Sequence, residues 1–179
     1  MENHVDKCTI YYDDTNHSST YLAEQLGEHS DIECKRASDY KGEKMIIESN
    51  RIVGFVFPSV DGSLPYNIKH LIWKIIMNKE NNIFLVVSDG SRELKAVKSA
   101  MDTLHDRGYK VKNVYSKYIF EKYHVENYAE KILEDLNSNH SEFLKKLEES
   151  KELSKKELRK YVRKNMKEYK QYKKQKNKK

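Results

Sequence analysis

The residues best placed for chemistry form a polar turn near the N-terminus, within the stretch YYDDTNHSST. An apolar run precedes this turn, and a segment with helical spacing follows it. The first backbone amides of a helix lack intrahelical acceptors and carry partial positive charge, so such a turn suits an anion. In a simpler interpretation, Ser18 or Ser19 caps the helix. Asp13 and Asp14 then only shape the turn, and both interpretations stay open from the residues alone.

Five apolar or alternating segments predict β-strands. The strongest signal is RIVGFVF at residues 51–57, which is nearly continuous, β-branched and aromatic. This composition is typical of a strand in a parallel sheet that is covered on both faces. The predicted strands are residues 8–12, 32–36, 51–57, 82–88 and 109–118.

Segments with helical spacing alternate with these strands. Pro65 suits the first turn of a helix, and Ser91 suits a helix cap. A loop at residues 37–50 takes the place of one further helix. The predicted helices are residues 18–27 with Tyr21, Leu22 and Leu26 on one face, a second with Ile68, Leu71, Ile72, Ile75 and Ile76 inward, then 91–106 and 125–136.

This order of elements predicts an α/β fold with a parallel five-stranded sheet in the order 2-1-3-4-5. Ligands of such sheets bind outside the carboxyl ends of the strands, near the point where the strand order reverses. We therefore expect the loops at residues 13–19, 58–65 and 88–92 to lie together.

Three segments carry a resemblance to the flavodoxin-like domains: IYY with the hydroxyl-rich turn, FPSVDGSLP with its two prolines, and NIFLVVSDGS. The resemblance covers roughly residues 8–120 and is closest to the flavodoxin halves of bacterial flavodoxin-ferredoxin fusion proteins. It implies a flavodoxin-like three-layer sandwich that binds FMN for electron transfer or reductase chemistry. Because the chain lacks a cysteine-rich ferredoxin unit, its redox partner would be a separate protein.

In that family the first loop wraps the FMN phosphate with hydroxyls and backbone amides. His17 stands where the family has a glycine, and Asp14 stands where it has a leading hydroxyl residue. A carboxylate beside a phosphate dianion is unfavourable, and a protonated His17 would offset part of this repulsion. The resemblance implies cofactor contacts from Asp14, Thr15, Asn16, His17, Ser18 and Ser19.

The second and third loops of the family hold the isoalloxazine ring of FMN, with an aromatic side chain against it. Val60 occupies the matching position here, and Tyr66 or Tyr115 is the nearest aromatic substitute that the sequence offers. Gly90 preserves a close backbone approach in the third loop. The resemblance implies cofactor contacts from Pro58, Ser59, Val60, Asp61 and Gly62, and from Ser88, Asp89, Gly90 and Ser91.

The missing aromatic side chains and the carboxylates of Asp14, Asp61 and Asp89 leave a second hypothesis open. In this hypothesis, the domain has lost the cofactor and serves as a binding or scaffold module. Phosphoacceptor receiver domains share the strand order, and Asp13 with Asp14 mimics their carboxylate pair. Asp61 lies too far beyond the third strand to complete such a site.

The charge of the chain divides between an acidic body and a basic tail. From Ser141 to Lys179 there are 16 Lys plus Arg against 6 Asp plus Glu, whereas the residues before have 18 against 22. We predict a flavodoxin-like domain at residues 1–138 and a Lys-rich, basic amphipathic helical extension with a frayed end at residues 139–179. The extension either contacts an acidic partner or nucleic acid, or forms a solvated helix over the core.

Several function classes lack their sequence signals. The cysteines, Cys8 and Cys34, form neither a CxxC pair nor a zinc-type pattern with histidine. The sequence contains no P-loop, no dinucleotide-binding glycine motif after a strand and no nucleophile-elbow motif. No apolar run approaches the roughly 20 residues of a membrane span. The start MENHVDK lacks the features of a secretory signal, so we expect a cytoplasmic protein.

Overall fold

A computed structural model of the chain describes residues 7–116 and 125–138, together with five single positions in the tail. These five positions are helical and exposed: Lys160, Lys167, Gln171, Lys174 and Gln175. The rest of the extension predicted at residues 139–179 lies outside the described residues, so the tail helix stays a prediction. No described helix combines the length and the apolar character that a membrane span requires.

The described residues contain one five-stranded parallel sheet and one ladder of two short strands. The five-stranded sheet has the order β2-β1-β4-β6-β7. With the two short strands set aside, this is the order 2-1-3-4-5, so the predicted flavodoxin-like fold class is confirmed. The strands are β1 Cys8–Tyr12, β2 Ile32–Arg36, β3 Ile46–Ile47, β4 Ile52–Ser59, β5 Ile75–Ile76, β6 Asn82–Gly90 and β7 Val111–Ser116.

Helices cover both faces of the sheet. On one face, α1 and α4 pack against side chains that include Ile10 and Phe84. On the other face, α2 and α3 pack against side chains that include Phe55 and Leu85. Burial on both faces explains the nearly continuous apolar sequences of β4 and β6. The helices are α1 His17–Gly27, α2 Tyr66–Lys74, α3 Glu93–Asp106 and α4 Tyr128–Ser138, with a 3-10 helix at Ala37–Tyr40.

The second helix ends earlier than its apolar spacing predicts. Ile75 and Ile76 continue that spacing, but they form β5, which pairs in parallel with β3. The Arg107 guanidinium and the Tyr109 hydroxyl donate to the Ile75 carbonyl at 2.8 and 3.3 Å. Residues distant in the chain thus stabilise an extended backbone here, and the prediction that Ile75 and Ile76 are helical is wrong.

The segment predicted as a loop at residues 37–50 is more structured than expected. It contains the 3-10 helix and β3. At its end, the buried Glu48 carboxylate accepts a hydrogen bond from the Tyr11 hydroxyl at 2.6 Å and one from the Asn50 amide at 2.8 Å. The bond from Tyr11 attaches the segment to β1, an interior strand of the sheet.

Candidate functional site

Side chains from the three predicted loops come together at the carboxyl end of the sheet. The Ser19 and Ser88 hydroxyl oxygens lie 2.6 Å apart, which joins α1 to the end of β6. The Ser59 hydroxyl, at the end of β4, donates to the Ser91 carbonyl. The first loop therefore contacts the third, and the second loop also contacts the third. This clustering follows from the parallel sheet, because all of its strands end at the same edge.

The first loop is organised by Asn16 and Asp13. The Asn16 side chain accepts from the Ser19 amide at 3.0 Å and caps α1. The buried Asp13 carboxylate accepts from the amide and the hydroxyl of Thr15 at 3.2 and 2.8 Å. The cap is thus Asn16, so the interpretation that Ser18 or Ser19 caps the helix is wrong, whereas Asp13 does shape the turn.

Asp14 faces the 3-10 helix that follows β2. Its carboxylate accepts from the Ser38 amide at 3.0 Å and from the Ser38 hydroxyl at 2.5 Å. Desolvation of the carboxylate raises the pKa of Asp14, but the hydrogen bonds from Ser38 and the nearby Arg36 charge outweigh it and lower this pKa. Asp14 therefore stays ionised. Nothing in the local sequence around Ser38 signals this contact.

Asp89 places a carboxylate at the first turn of α1. The Ser18 hydroxyl donates to Asp89 Oδ2 at 3.4 Å, and the Gly90 amide donates to Asp89 Oδ1 at 2.8 Å. The positive end of a helix stabilises a nearby negative charge, whichever group supplies it. The chain therefore brings one of its own anions to the place where a ligand phosphate would be most stable.

The second loop forms a hairpin turn of its own. Val60 and Ser63 exchange backbone hydrogen bonds of 3.0 and 2.9 Å, and Asp61 and Gly62 between them have φ values of 51° and 83°. Positive φ at both central residues is typical of a tight hairpin turn. The Val60 side chain is 55% exposed. Flavodoxin-like domains carry an aromatic side chain at the position of Val60, whereas this chain presents a small side chain to solvent there.

This hairpin packs directly on the start of α3. Asp61 forms an ion pair with Arg92 at 3.4 Å, and the Gly62 amide donates to the Ser59 hydroxyl at 3.0 Å. A Cβ atom at Gly62 would lie only 2.7 Å from the Lys95 side chain. Because the second and third loops touch in this way, no slot for a flat ring separates them at these contacts. The isoalloxazine position that the resemblance implies does not fit this arrangement.

The third loop is fixed by its backbone. Gly90 has φ +99°, and a Cβ atom there would lie 2.2 Å from the Ser59 carbonyl oxygen. The backbone at Gly90 therefore lies very close to the backbone of β4. Arg92, with a left-handed φ of 56° and no capping side chain, precedes α3. The prediction that Ser91 caps this helix is wrong, because Arg92 occupies the cap position.

The two tyrosines predicted as aromatic substitutes, Tyr115 and Tyr66, have partners of their own. Tyr115 is fully buried in the core, and its hydroxyl donates to the Asp135 carboxylate at 3.1 Å. Tyr66 is exposed, and its ring lies 4.1 Å from the ring of His70. Tyr21 was expected on the inward face of α1 but is 56% exposed.

A cleft of about 330 Å³ opens beside the first loop, between α1 and the start of α4. Small-molecule sites typically have volumes of about 300–1,000 Å³, so this cleft lies at the low end of that range. Sequence patterns did not identify Tyr21, Gln25 or Tyr128 as site residues, because each lies in a helix away from the three loops. The cleft is lined by His17, Ser18, Tyr21, Leu22, Gln25, Val86, Val87, Ser88 and Tyr128.

Comparisons with known proteins find a likeness among solved structures. No protein-family model and no curated protein matches the chain. The chain is similar to a flavoprotein in complex with FMN from Lactobacillus acidophilus NCFM, at 16% sequence identity and a TM-score of 0.47. The likeness covers 66% of this chain and 97% of that chain. The assignment of the flavodoxin-like fold rests on the strand order, and the kinship with fusion proteins stays a prediction.

Proposed function

We propose that the protein binds FMN beside the first turn of α1, at the carboxyl end of the sheet, and serves in electron transfer or reductase chemistry with a separate protein as its redox partner. One observation carries the proposal. The hydroxyls of Ser18 and Ser88 line the mouth of the cleft at the first turn of α1, and the buried Ser19 hydroxyl lies 2.6 Å from that of Ser88. Hydroxyl donors beside a helix N-terminus suit a phosphate.

The phosphate end would be held at the start of α1. The amides of His17 and Ser18 precede the capped amide of Ser19, and the first amides of a helix point out of its N-terminus. The Ser18 hydroxyl, which donates to Asp89 without a ligand, would turn to donate to the phosphate. The Asp89 carboxylate would repel the phosphate there, and this repulsion weakens as the distance between the two groups increases. When bound, FMN itself supplies the redox chemistry, and the protein supplies position and exclusion of water.

Flavin titration of the purified full chain tests this proposal. We expect retention of a flavin absorbance near about 450 nm after gel filtration. FMN should bind more tightly than riboflavin, which has the same ring without the phosphate. Ser18→Ala should weaken FMN binding roughly 3- to 10-fold, since a hydrogen bond to a charged group is lost. Ser30→Ala, in the exposed turn after α1, is the matched control and should leave it unchanged.

A protein that binds neither flavin would overturn this proposal. Equal binding of FMN and riboflavin, with no effect of Ser18→Ala, would remove the phosphate role of α1 while leaving a flavin site.

A cofactor-free binding module is the second candidate, and the contacts among the three loops favour it. Asp61 pairs with Arg92, Ser59 bonds to Ser91, and Asp89 supplies the anion at α1. These groups of the three loops therefore have partners within the chain and need no ligand. In this candidate the basic tail contacts an acidic partner or nucleic acid. Binding of nucleic acid should be measured at two salt concentrations for the full chain and for residues 1–138. Loss of a salt-dependent affinity on truncation is expected, and equal, negligible binding would contradict it.

A further inference from the structure

The cleft between α1 and α4 has an apolar floor. Leu22 and Val86 are buried side chains of α1 and β6 that face it. Water forms no hydrogen bonds with such an apolar floor, so a flat apolar ligand would displace this water at a low cost in free energy. The floor therefore favours a ring system over a sugar or a peptide.

Two tyrosines line the cleft. Tyr21 belongs to the second turn of α1, and its hydroxyl accepts a hydrogen bond from the Gln25 amide at 3.1 Å. Tyr128 begins α4 and is partly buried. Aromatic side chains bind flat rings by stacking or by edge contacts. The cleft thus offers the aromatic contact that the Val60 hairpin lacks.

The mouth of the cleft is polar and begins at the first turn of α1. His17, Ser18 and Ser88 line it, so an anionic arm attached to the ring would reach the helix N-terminus. A ligand with a flat ring and an anionic arm, which is the chemistry of FMN, matches both ends of the cleft.

We infer, on the basis of the proposed function, that the isoalloxazine ring of FMN lies in this cleft, between Tyr21 and Tyr128. It does not lie between the second and third loops. The ring then runs beside α1, and the ion pair of Asp61 with Arg92 stays intact when the cofactor binds.

Titration of the full chain with FMN, followed by quenching of flavin fluorescence, tests this placement. Tyr21→Ala and Tyr128→Ala should each weaken FMN binding roughly 3- to 10-fold, because an aromatic contact is lost. Tyr21→Phe keeps the ring and should keep the affinity. Since Tyr21 is exposed, its variants should fold normally, which circular dichroism checks. Val60→Ala is the matched control on the hairpin and should leave the affinity within about twofold.

The outcomes separate the placement from the function. If FMN binds but Val60→Ala weakens it while the Tyr21 variants do not, the placement is wrong and FMN binding stands. If the wild-type chain binds no FMN, the proposed function fails and the placement fails with it.

A second readout is the fluorescence intensity of bound flavin, because a nearby tyrosine quenches flavin fluorescence by electron transfer. Tyr21→Phe should therefore brighten bound FMN in part without weakening its binding, since Tyr128 still quenches it.

Discussion

The Ser18 hydroxyl donates to the Asp89 carboxylate at 3.4 Å, and this contact joins the first turn of α1 to the end of β6. It brings a fixed negative charge to the helix end at which an anionic ligand would bind. The affinity for any phosphate at this turn is therefore the balance of helix field, hydroxyl donors and this carboxylate.

Replacement of Asp89 by asparagine should strengthen FMN binding. The single oxygen of the asparagine amide can accept from Ser18 or from the Gly90 amide but not from both. The repulsion of the phosphate is removed, which is worth about 1 kcal/mol at a partly exposed site, or roughly fivefold in affinity. Fluorescence titration of Asp89→Asn at low and high salt measures this gain, which should shrink as salt rises. Asp102→Asn, which removes an exposed carboxylate from α3, is the control. Unchanged or weaker binding by Asp89→Asn would contradict the expectation.

Replacement of Gly90 by alanine should destabilise the fold by about 2 kcal/mol or more, because the residue has φ +99° and its Cβ would meet the Ser59 carbonyl at 2.2 Å. Urea unfolding gives the free energy. Gly42→Ala is the matched control, since a Cβ there meets nothing within 4 Å. That control should change the stability by at most about 0.5 kcal/mol. Similar losses for both variants would show that the close approach at Gly90 is unimportant.

Loss of the Glu48 carboxylate should destabilise the sheet and the segment beside it. Glu48→Ala leaves the buried Tyr11 hydroxyl without its acceptor, which typically costs about 1–3 kcal/mol. Glu48→Gln keeps an oxygen acceptor and should lose less. Thermal unfolding compares these variants with Glu43→Ala, an exposed position in the preceding turn. Equal melting temperatures for Glu48→Ala and Glu43→Ala would disprove the role of this contact.

The free energy of unfolding should decrease as the pH rises above about 9. Burial raises the pKa of Cys8 to about 12 and that of Cys34 to about 11. The pKa of Tyr11 and that of Tyr115 are also raised, mainly by burial. Because the folded-state pKa exceeds the unfolded one, each group contributes stability that is complete below about pH 9 and is lost as the pH rises toward the folded value.

The free energy of unfolding, measured by urea at pH 8, 9 and 10, checks this direction. It should fall mainly between pH 9 and pH 10, and Cys8→Ala should flatten this fall. The thiols should also react slowly with a disulfide reagent at pH 8 in the folded protein and quickly in urea. A stability that rises from pH 8 to pH 10 would refute the account.

The order of the sheet could be predicted because strands buried on both faces have continuous apolar sequences, as in β4. The short ladder could not, since Ile75 and Ile76 also continue a helical pattern. Their extended backbone depends on Arg107 and Tyr109, more than 30 residues further along the chain. Local spacing contains no information about such contacts.

The meeting of the three loops at one edge could also be predicted, because parallel strands end together. The directions of their side chains could not. Asp14 faces Ser38 after β2, and Asp89 faces Ser18 on α1, so each depends on a partner from another part of the fold. Tyr21 departs from its expected face for the same kind of reason, since α4 and the sheet decide which side of α1 is covered.

The hairpin at Val60 has an evolutionary consequence. Its turn is closed by its own backbone bonds to Ser63, and the Val60 side chain faces solvent. Natural selection or laboratory recombination can therefore vary this side chain without disturbing the scaffold. Substitutions at Val60 should therefore be tolerated, while Gly62 and Gly90 beside it remain constrained by their positive φ values.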